Sequence, residues 1–159
     1  MKMDRTIRGA AAVGQLTDVS AWEAELILNI RLWQDGPRGQ EQVWNAYATA
    51  FGPDAGRAEL RTFERLLCLI DTHMLRPLVR HSVACRCIGS DEAVFANMVR
   101  FATHGDLHEA SLVASLLVRP AFAELIAIQA AQVGTAVTEL TRSHSTARDG
   151  LSDAPVTFH

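Results

Sequence analysis

Apolar residues recur every three or four positions through most of this 159-residue chain, which is the period of an α-helix. The clearest run is a coiled-coil-like seam on one helix face, made of Leu60, Phe63, Leu67, Ile70 and Met74. We find no stretch with the apolar–polar alternation of a β-strand. The pattern predicts an all-α fold: a single-domain helical bundle of about six or seven helices joined by short loops.

Capping residues and prolines divide this pattern into helices. Ser20 and Glu23 have the spacing of a capping box, which predicts a helix start. The dipeptides at 36–37 and 52–53 are Gly-Pro, which ends one helix and begins the next. Pro77 ends the seam helix, and a short helix is predicted over residues 76–88.

The helix that carries the seam and the helix predicted over residues 107–118 both affect how the chain assembles. The second one, capped by Asp106, has almost no polar face. A helix that is apolar all round is either central to the fold or covered by another subunit. We therefore expect a homo-oligomer that buries part of the seam or of this helix, and a protein partner is a further expectation.

The two ends of the chain lack helical periodicity. We expect residues 1–18 to form a loose N-terminal arm, residues 19–141 to form the helical domain, and residues 142–159 to form a disordered tail. The tail is polar and contains Gly150 and Pro155.

Composition limits the classes of partner. The formal net charge is −3, which gives no electrostatic basis for binding nucleic acid. No apolar stretch is expected to span a membrane, and no signal-peptide core is evident. Three cysteines are too few for a disulfide scaffold, so a reducing cytoplasm is the expected location. Fourteen of the fifteen basic residues are arginine, a usage typical of a GC-rich bacterial genome.

Reactive side chains are concentrated between His81 and Glu109, which hold two of the three cysteines and three of the six histidines. In a helix over 76–88, His81 and Cys85 share one face, so an imidazole and a thiolate can bind one metal ion. Cys87 joins them only if the backbone unwinds before Gly89. With a fourth ligand, these residues would form a tetrahedral zinc site; the candidates for that ligand are His108, His104 and Asp91.

Two other interpretations compete with the zinc site. The favoured one is that Cys85 and Cys87 are small apolar fillers of the core, and Cys68 is read the same way. The other is a reactive thiol, because Arg80, Arg86 and His81 would lower the pKa of a neighbouring cysteine. The spacing of the cysteines and histidines does not match a common zinc motif.

No catalytic signature is present: the chain contains no GxGxxG, Walker loop, HExxH or GxSxG. Aromatic residues on the first two helices are read as core rather than as a ligand pocket. The leading hypothesis is therefore an interaction or assembly protein without catalysis. The alternatives are a metal- or redox-responsive regulator that uses His81, Cys85 and Cys87, and, least favoured, a small thiol enzyme.

Overall fold

A computed structural model of the chain describes residues 9–152. Within this range six α-helices surround a common core, and a two-stranded antiparallel sheet lies beside them. The all-α bundle is confirmed, with this small sheet as the exception. The elements in chain order are β1 (Ala12–Gln15), α1 (Ala21–Gln34), α2 (Pro37–Phe51), α3 (Pro53–His73), β2 (Cys87–Gly89), α4 (Ser90–Thr103), α5 (Leu107–Ala114) and α6 (Ala123–Ser152).

The predicted helix starts are confirmed by their caps. The Ser20 backbone N–H donates to the Glu23 carboxylate at 3.1 Å, which closes the capping box of α1. Gly36 and Gly52 have φ of 104° and 83°, and a proline follows each of them as the first residue of the next helix. Such φ values favour glycine, so the Gly-Pro pairs fix both corners of the α1–α2–α3 region.

Helix α6 is the centre of the bundle and packs against each of the other five helices. Its inward face is fully buried, and at Gly134 the helix approaches α4 so closely that a Cβ would overlap the Thr103 hydroxyl. By length and composition alone, Pro120–Leu151 could also cross a membrane, contrary to the sequence expectation. Its apolar composition is accounted for by the residues that the other helices cover: Ile126, Ala130, Val133, Val137 and Leu140.

Helix α5 lies at the surface rather than at the centre. It ends at Ala114, earlier than predicted. Leu112 on the helix and Leu116 in the turn after it face solvent, with exposed fractions of 52% and 67%. The α3 seam, in contrast, is covered by the chain itself. Leu60 and Leu67 are buried against the core, so this part of the seam is not free for a partner.

The helix predicted over 76–88 does not form. These residues run without a helix from Met74 until β2 begins at Cys87. Pro77 cannot donate a backbone hydrogen bond, and several backbone groups of the segment bind the side chains of Arg31 and Glu92 instead of one another. Gly89 consequently precedes α4 rather than ending a helix.

The chain ends are more regular than the sequence indicated. Within the predicted arm, β1 pairs with β2, with a bulge between the Ala12–Gly89 and Gly14–Ile88 pairs. At the other end α6 continues beyond residue 141 to Ser152, and the His144 ring lies 3.6 Å from the Glu25 carboxylate. The rest of the predicted arm and tail, residues 1–8 and 153–159, falls outside the described range.

Candidate functional site

The loop between α3 and β2 is built around a buried ion pair. Arg31 on α1 and Glu92 on α4 are 2% and 1% exposed, and they meet through two hydrogen bonds of 2.7 and 2.8 Å. A bidentate contact of this kind is among the strongest that side chains make. The pair therefore joins the two helices beneath the loop.

Five backbone groups of the loop and of β2 are bound to this ion pair. Arg31 donates to three carbonyl oxygens, and Glu92 accepts from two N–H groups. The carbonyls belong to Ser82, Cys85 and Cys87, at 3.3, 2.6 and 2.6 Å, and the N–H groups belong to His81 and Gly89, at 3.0 and 2.9 Å. The loop thus obtains from two side chains the hydrogen bonds that a helix would have made internally.

The protonation states of the pair follow from these contacts. Burial alone would raise the pKa of Glu92, but the hydrogen bonds from Arg31, Gly89 and His81 outweigh it and hold that pKa below its ordinary value. The pKa of Arg31 is raised, chiefly by its hydrogen bonds to Glu92. Both groups are therefore charged at neutral pH.

A second ion pair holds the beginning of the loop. Arg76 makes a bidentate contact with Asp91, at 2.7 and 2.8 Å, and the Val79 N–H donates to the same carboxylate at 2.8 Å. Burial of Asp91 acts to raise its pKa, but these partners lower it overall. Helix capping alone does not account for two buried carboxylates that organise a loop.

On the outer side of the loop, a thiol and an imidazole are in contact. The Cys85 sulfur lies 3.5 Å from Nδ1 of His81, and both residues are partly exposed. The sequence anticipated that His81 and Cys85 would come together, but on one face of a helix. In the structure a turn brings them together, with the Cys85 N–H bonded to the Ser82 carbonyl at 3.0 Å.

The other edge of the imidazole is fixed by the N-terminal segment. Nε2 of His81 lies 2.8 Å from the carbonyl oxygen of Ala10. A carbonyl can only accept, so Nε2 carries the hydrogen, and Nδ1 either accepts from a Cys85 thiol or donates to its thiolate. Gly89 makes room for the ring, since a Cβ there would lie 2.9 Å from Nε2.

These contacts favour the charged forms of both groups. The pKa of Cys85 is lowered, first by the backbone N–H of Cys87 and then by the hydrogen bond with His81. The pKa of His81 is raised, first by the Ala10 carbonyl, against a smaller opposing effect of burial. The contacts thus favour a thiolate–imidazolium pair in which the Ala10 carbonyl orients the imidazole, an arrangement that activated cysteine nucleophiles share.

A second thiol lies next to this pair. Cys87 begins β2, and the Arg86 carbonyl already accepts a hydrogen bond from the Leu16 N–H of the neighbouring strand segment. Both the backbone N–H and the thiol of Cys87 lie within hydrogen-bonding reach of the Cys85 sulfur, so loss of the helix brings the two thiols together. Gln15 donates to the Cys87 sulfur at 3.6 Å.

The fourth ligand expected for zinc does not join the cluster. His108 lies in the first turn of α5 and lines a different surface depression, together with Leu112 and Pro120. His104 ends α4, with Nδ1 2.7 Å from the Arg100 carbonyl. Across residues 9–152, no group of three His, Cys, Asp or Glu side chains is arranged to hold a metal ion. Zinc at His81, Cys85 and Cys87 stays a prediction.

The sequence misjudged the neighbours of the thiols. Cys68 was read as core but is exposed, because it lies one position past the buried Leu67 on α3. Arg80 is directed at Asp71, 4.0 Å away, and Arg86 is exposed. The pKa of Cys85 is lowered by Cys87, which the sequence did not indicate, and by His81, which it did. The sequence analysis overlooked Arg31. This residue lies one helical turn after the buried Ile27, on the apolar face of α1, and that position indicates a charged side chain inside the core.

A groove of about 590 Å³ between α3 and α6 offers less chemistry. Several threonines line it, but Thr103, Thr135 and Thr138 each donate to a carbonyl of their own helix. Their hydroxyl hydrogens are therefore not directed at a ligand.

Comparison with protein-family models, curated proteins and solved structures finds no match for this chain. We therefore infer its function from the chemistry of residues 81–90, here called the thiol loop.

Proposed function

We propose that this protein is a redox-responsive regulator in which Cys85 is the reacting thiol and Cys87 the resolving thiol. The main support for this proposal is the position of the His81 imidazole. Its Nε2 lies 2.8 Å from the Ala10 carbonyl oxygen, and its Nδ1 lies 3.5 Å from the Cys85 sulfur. Such an environment stabilises the thiolate, which is the form that reacts with oxidants.

The reaction has two balanced steps with a hydroperoxide as the oxidant. The Cys85 thiolate attacks one peroxide oxygen, the O–O bond breaks, and the leaving oxygen takes a proton, which His81 can supply through Nδ1. The products are a sulfenic acid and water, or an alcohol if the peroxide is organic. The Cys87 thiol then attacks the Cys85 sulfur, forming the S–S bond and releasing a second water.

The surroundings of Cys85 fit a stoichiometric switch better than an acyl-transfer enzyme. Acyl transfer needs free N–H groups aimed at an oxyanion. Here the N–H groups of His81 and Gly89 are bound to Glu92, and that of Cys85 is bound to Ser82. A regulator is also compatible with the interaction role expected from the sequence, with the bundle as scaffold and the loop as sensor.

The test compares two thiols in one native protein under limiting iodoacetamide or hydrogen peroxide. Cys68 is exposed and Cys85 only partly so, hence exposure alone predicts faster modification of Cys68. We expect the opposite order. His81→Ala should slow Cys85 at least about fivefold at pH 7 and move its rate profile to higher pH, because the thiolate loses its partner. His104→Ala is the matched control and should change nothing.

Peptide mass spectrometry assigns each modification, and dithiothreitol should reverse the peroxide product. If Cys68 reacts as fast as Cys85 and His81→Ala has no effect, the imidazole does not activate the thiol. If peroxide produces no Cys85–Cys87 disulfide, Cys87 is not the resolving thiol and the proposed switch is wrong.

A further inference from the structure

We infer that residues 10–16, here called the N-terminal strap, are released from the bundle when Cys85 and Cys87 form a disulfide. This inference rests on the proposed function and adds the structural output of the switch. The strap would then be the part of the molecule whose conformation reports oxidation.

The strap contacts the thiol loop at both of its ends. Near its start, the Ala10 carbonyl accepts from His81, and the Ala11 carbonyl accepts from the Ser90 N–H at 2.9 Å. Near its end, the Leu16 N–H donates to Arg86 at 2.8 Å, and Gln15 donates to the Cys87 sulfur. Two of these four contacts are made to His81 and Cys87, and a third is made to Arg86, which lies between the two cysteines.

The strap is only lightly held by packing. None of its residues is buried, and Val13, which forms the bulge, is 58% exposed. Leu16, at the end of the strap, is half-buried against the core, and the buried residues of the two-stranded ribbon, Ile88 and Gly89, belong to β2. An isolated two-stranded ribbon is marginal in water. The attachment of the strap therefore depends largely on hydrogen bonds, those of the β1–β2 pairing and those to the loop, so the loss of one or two of them shifts the equilibrium measurably.

The opposite side of the loop is held firmly. The carbonyls of Cys85 and Cys87 both bind the buried Arg31, at 2.6 Å each. Strain introduced between the two cysteines is thus resisted on the core side. It is directed to Arg86, whose carbonyl faces the strap.

Closing the disulfide requires such a strain. Residues two apart in an extended chain have β-carbons on the same side about 6.7 Å apart, whereas a disulfide needs them about 3.5–4.5 Å apart. The backbone at Arg86 must bend to close this difference, which pulls its carbonyl away from Leu16. Oxidation also removes the Cys85 thiolate, so His81 loses its charge partner and its bond to Ala10 is no longer charge-assisted.

Amide hydrogen exchange on the full chain, in a Cys68→Ser background, tests this inference. Intact mass first establishes that hydrogen peroxide has produced the Cys85–Cys87 disulfide. We then expect the Leu16 amide to exchange about tenfold faster in the oxidised protein, the change expected from losing one hydrogen bond. Amides of α3 and α6 should be unchanged. Cys87→Ser is the matched control, because it cannot close the disulfide: its own exchange rate at Leu16 should be the same before and after peroxide.

The outcomes separate the two proposals. Disulfide formation with unchanged exchange at Leu16 overturns strap release and leaves the thiol switch standing. Faster exchange throughout the bundle also overturns it, because oxidation would then destabilise the whole fold. Absence of the disulfide overturns the proposed function, and the strap inference falls with it.

Discussion

Replacing both Arg31 and Glu92 by apolar residues should lower the free energy of unfolding well below that of the parent chain, unlike the same replacement at an ordinary buried ion pair. Replacing both partners of such a pair by apolar residues is often neutral or stabilising. Here Arg31→Met together with Glu92→Leu removes the charges but also leaves five backbone groups of the loop without their partners. The double variant therefore tests whether the pair organises the loop.

The size of the effect follows from those groups. A single substitution leaves one buried charge uncompensated, which costs about 3–5 kcal/mol. In the double variant the carbonyl of Ser82 lies at an exposed residue, where water can replace Arg31. The Gly89 N–H is buried and the Cys87 carbonyl partly so. At about 1–3 kcal/mol for each unpaired buried group, these two alone leave a deficit of about 2–6 kcal/mol.

Urea unfolding followed by circular dichroism and tryptophan fluorescence measures this deficit. With an m-value of about 2 kcal/mol/M, a loss of 4 kcal/mol lowers the midpoint by about 2 M. The exposed pair of Arg142 and Glu139, at 3.3 Å, is the matched control. Its removal should change stability by less than about 0.5 kcal/mol. Recovery of the double variant to within about 1 kcal/mol of the parent chain would refute the reasoning, because the loop would then hold its fold without the pair.

Three further predictions concern pH, assembly and metal. Because the fold lowers the pKa of Asp91 and Glu92, the stabilisation that these carboxylates contribute is complete above about pH 5 and is lost as the pH falls through their pKa values in the folded protein. In an acid titration, Asp91→Asn should lose less free energy of unfolding than the parent chain. If the chain forms oligomers, Leu112→Glu should give folded monomers in light scattering, whereas Leu67→Glu should unfold the bundle, because Leu67 is 4% exposed. Purified protein should contain less than stoichiometric zinc by elemental analysis, and a chelator should leave its melting temperature unchanged; one tightly bound zinc per chain would contradict the free-thiol arrangement.

The sequence predicted those parts of the fold whose causes are local. Gly36–Pro37, Gly52–Pro53 and the Ser20 capping box act within a few residues, so the boundaries of the first three helices could be read directly. Burial on α3 followed the helical period, and the one error there, Cys68, came from judging a residue by its neighbours in sequence instead of by its angle on the helix.

The loop could not be predicted because its partners are distant in the chain. Residues 76–88 have an acceptable helical pattern, but Arg31 and Glu92 compete for their backbone groups from α1 and α4. The pairing of His81 with Ala10 joins residues 71 positions apart, and no local signal marks a carbonyl as a partner. The side chains of the candidate site were therefore partly identified, whereas the groups that activate them were not.

The same competition explains why the thiols are placed where they are. In a helix, Cys85 and Cys87 would point about 200° apart, and one disulfide could not join them. Giving up that helix leaves carbonyl and N–H groups to be satisfied, and the buried pair of Arg31 and Glu92 does so. The extended segment that results exposes a strand edge, which pairs with β1 and thereby brings the Ala10 carbonyl to His81. A charged pair that costs desolvation thus makes possible both the proximity of the two thiols and the contact that activates one of them.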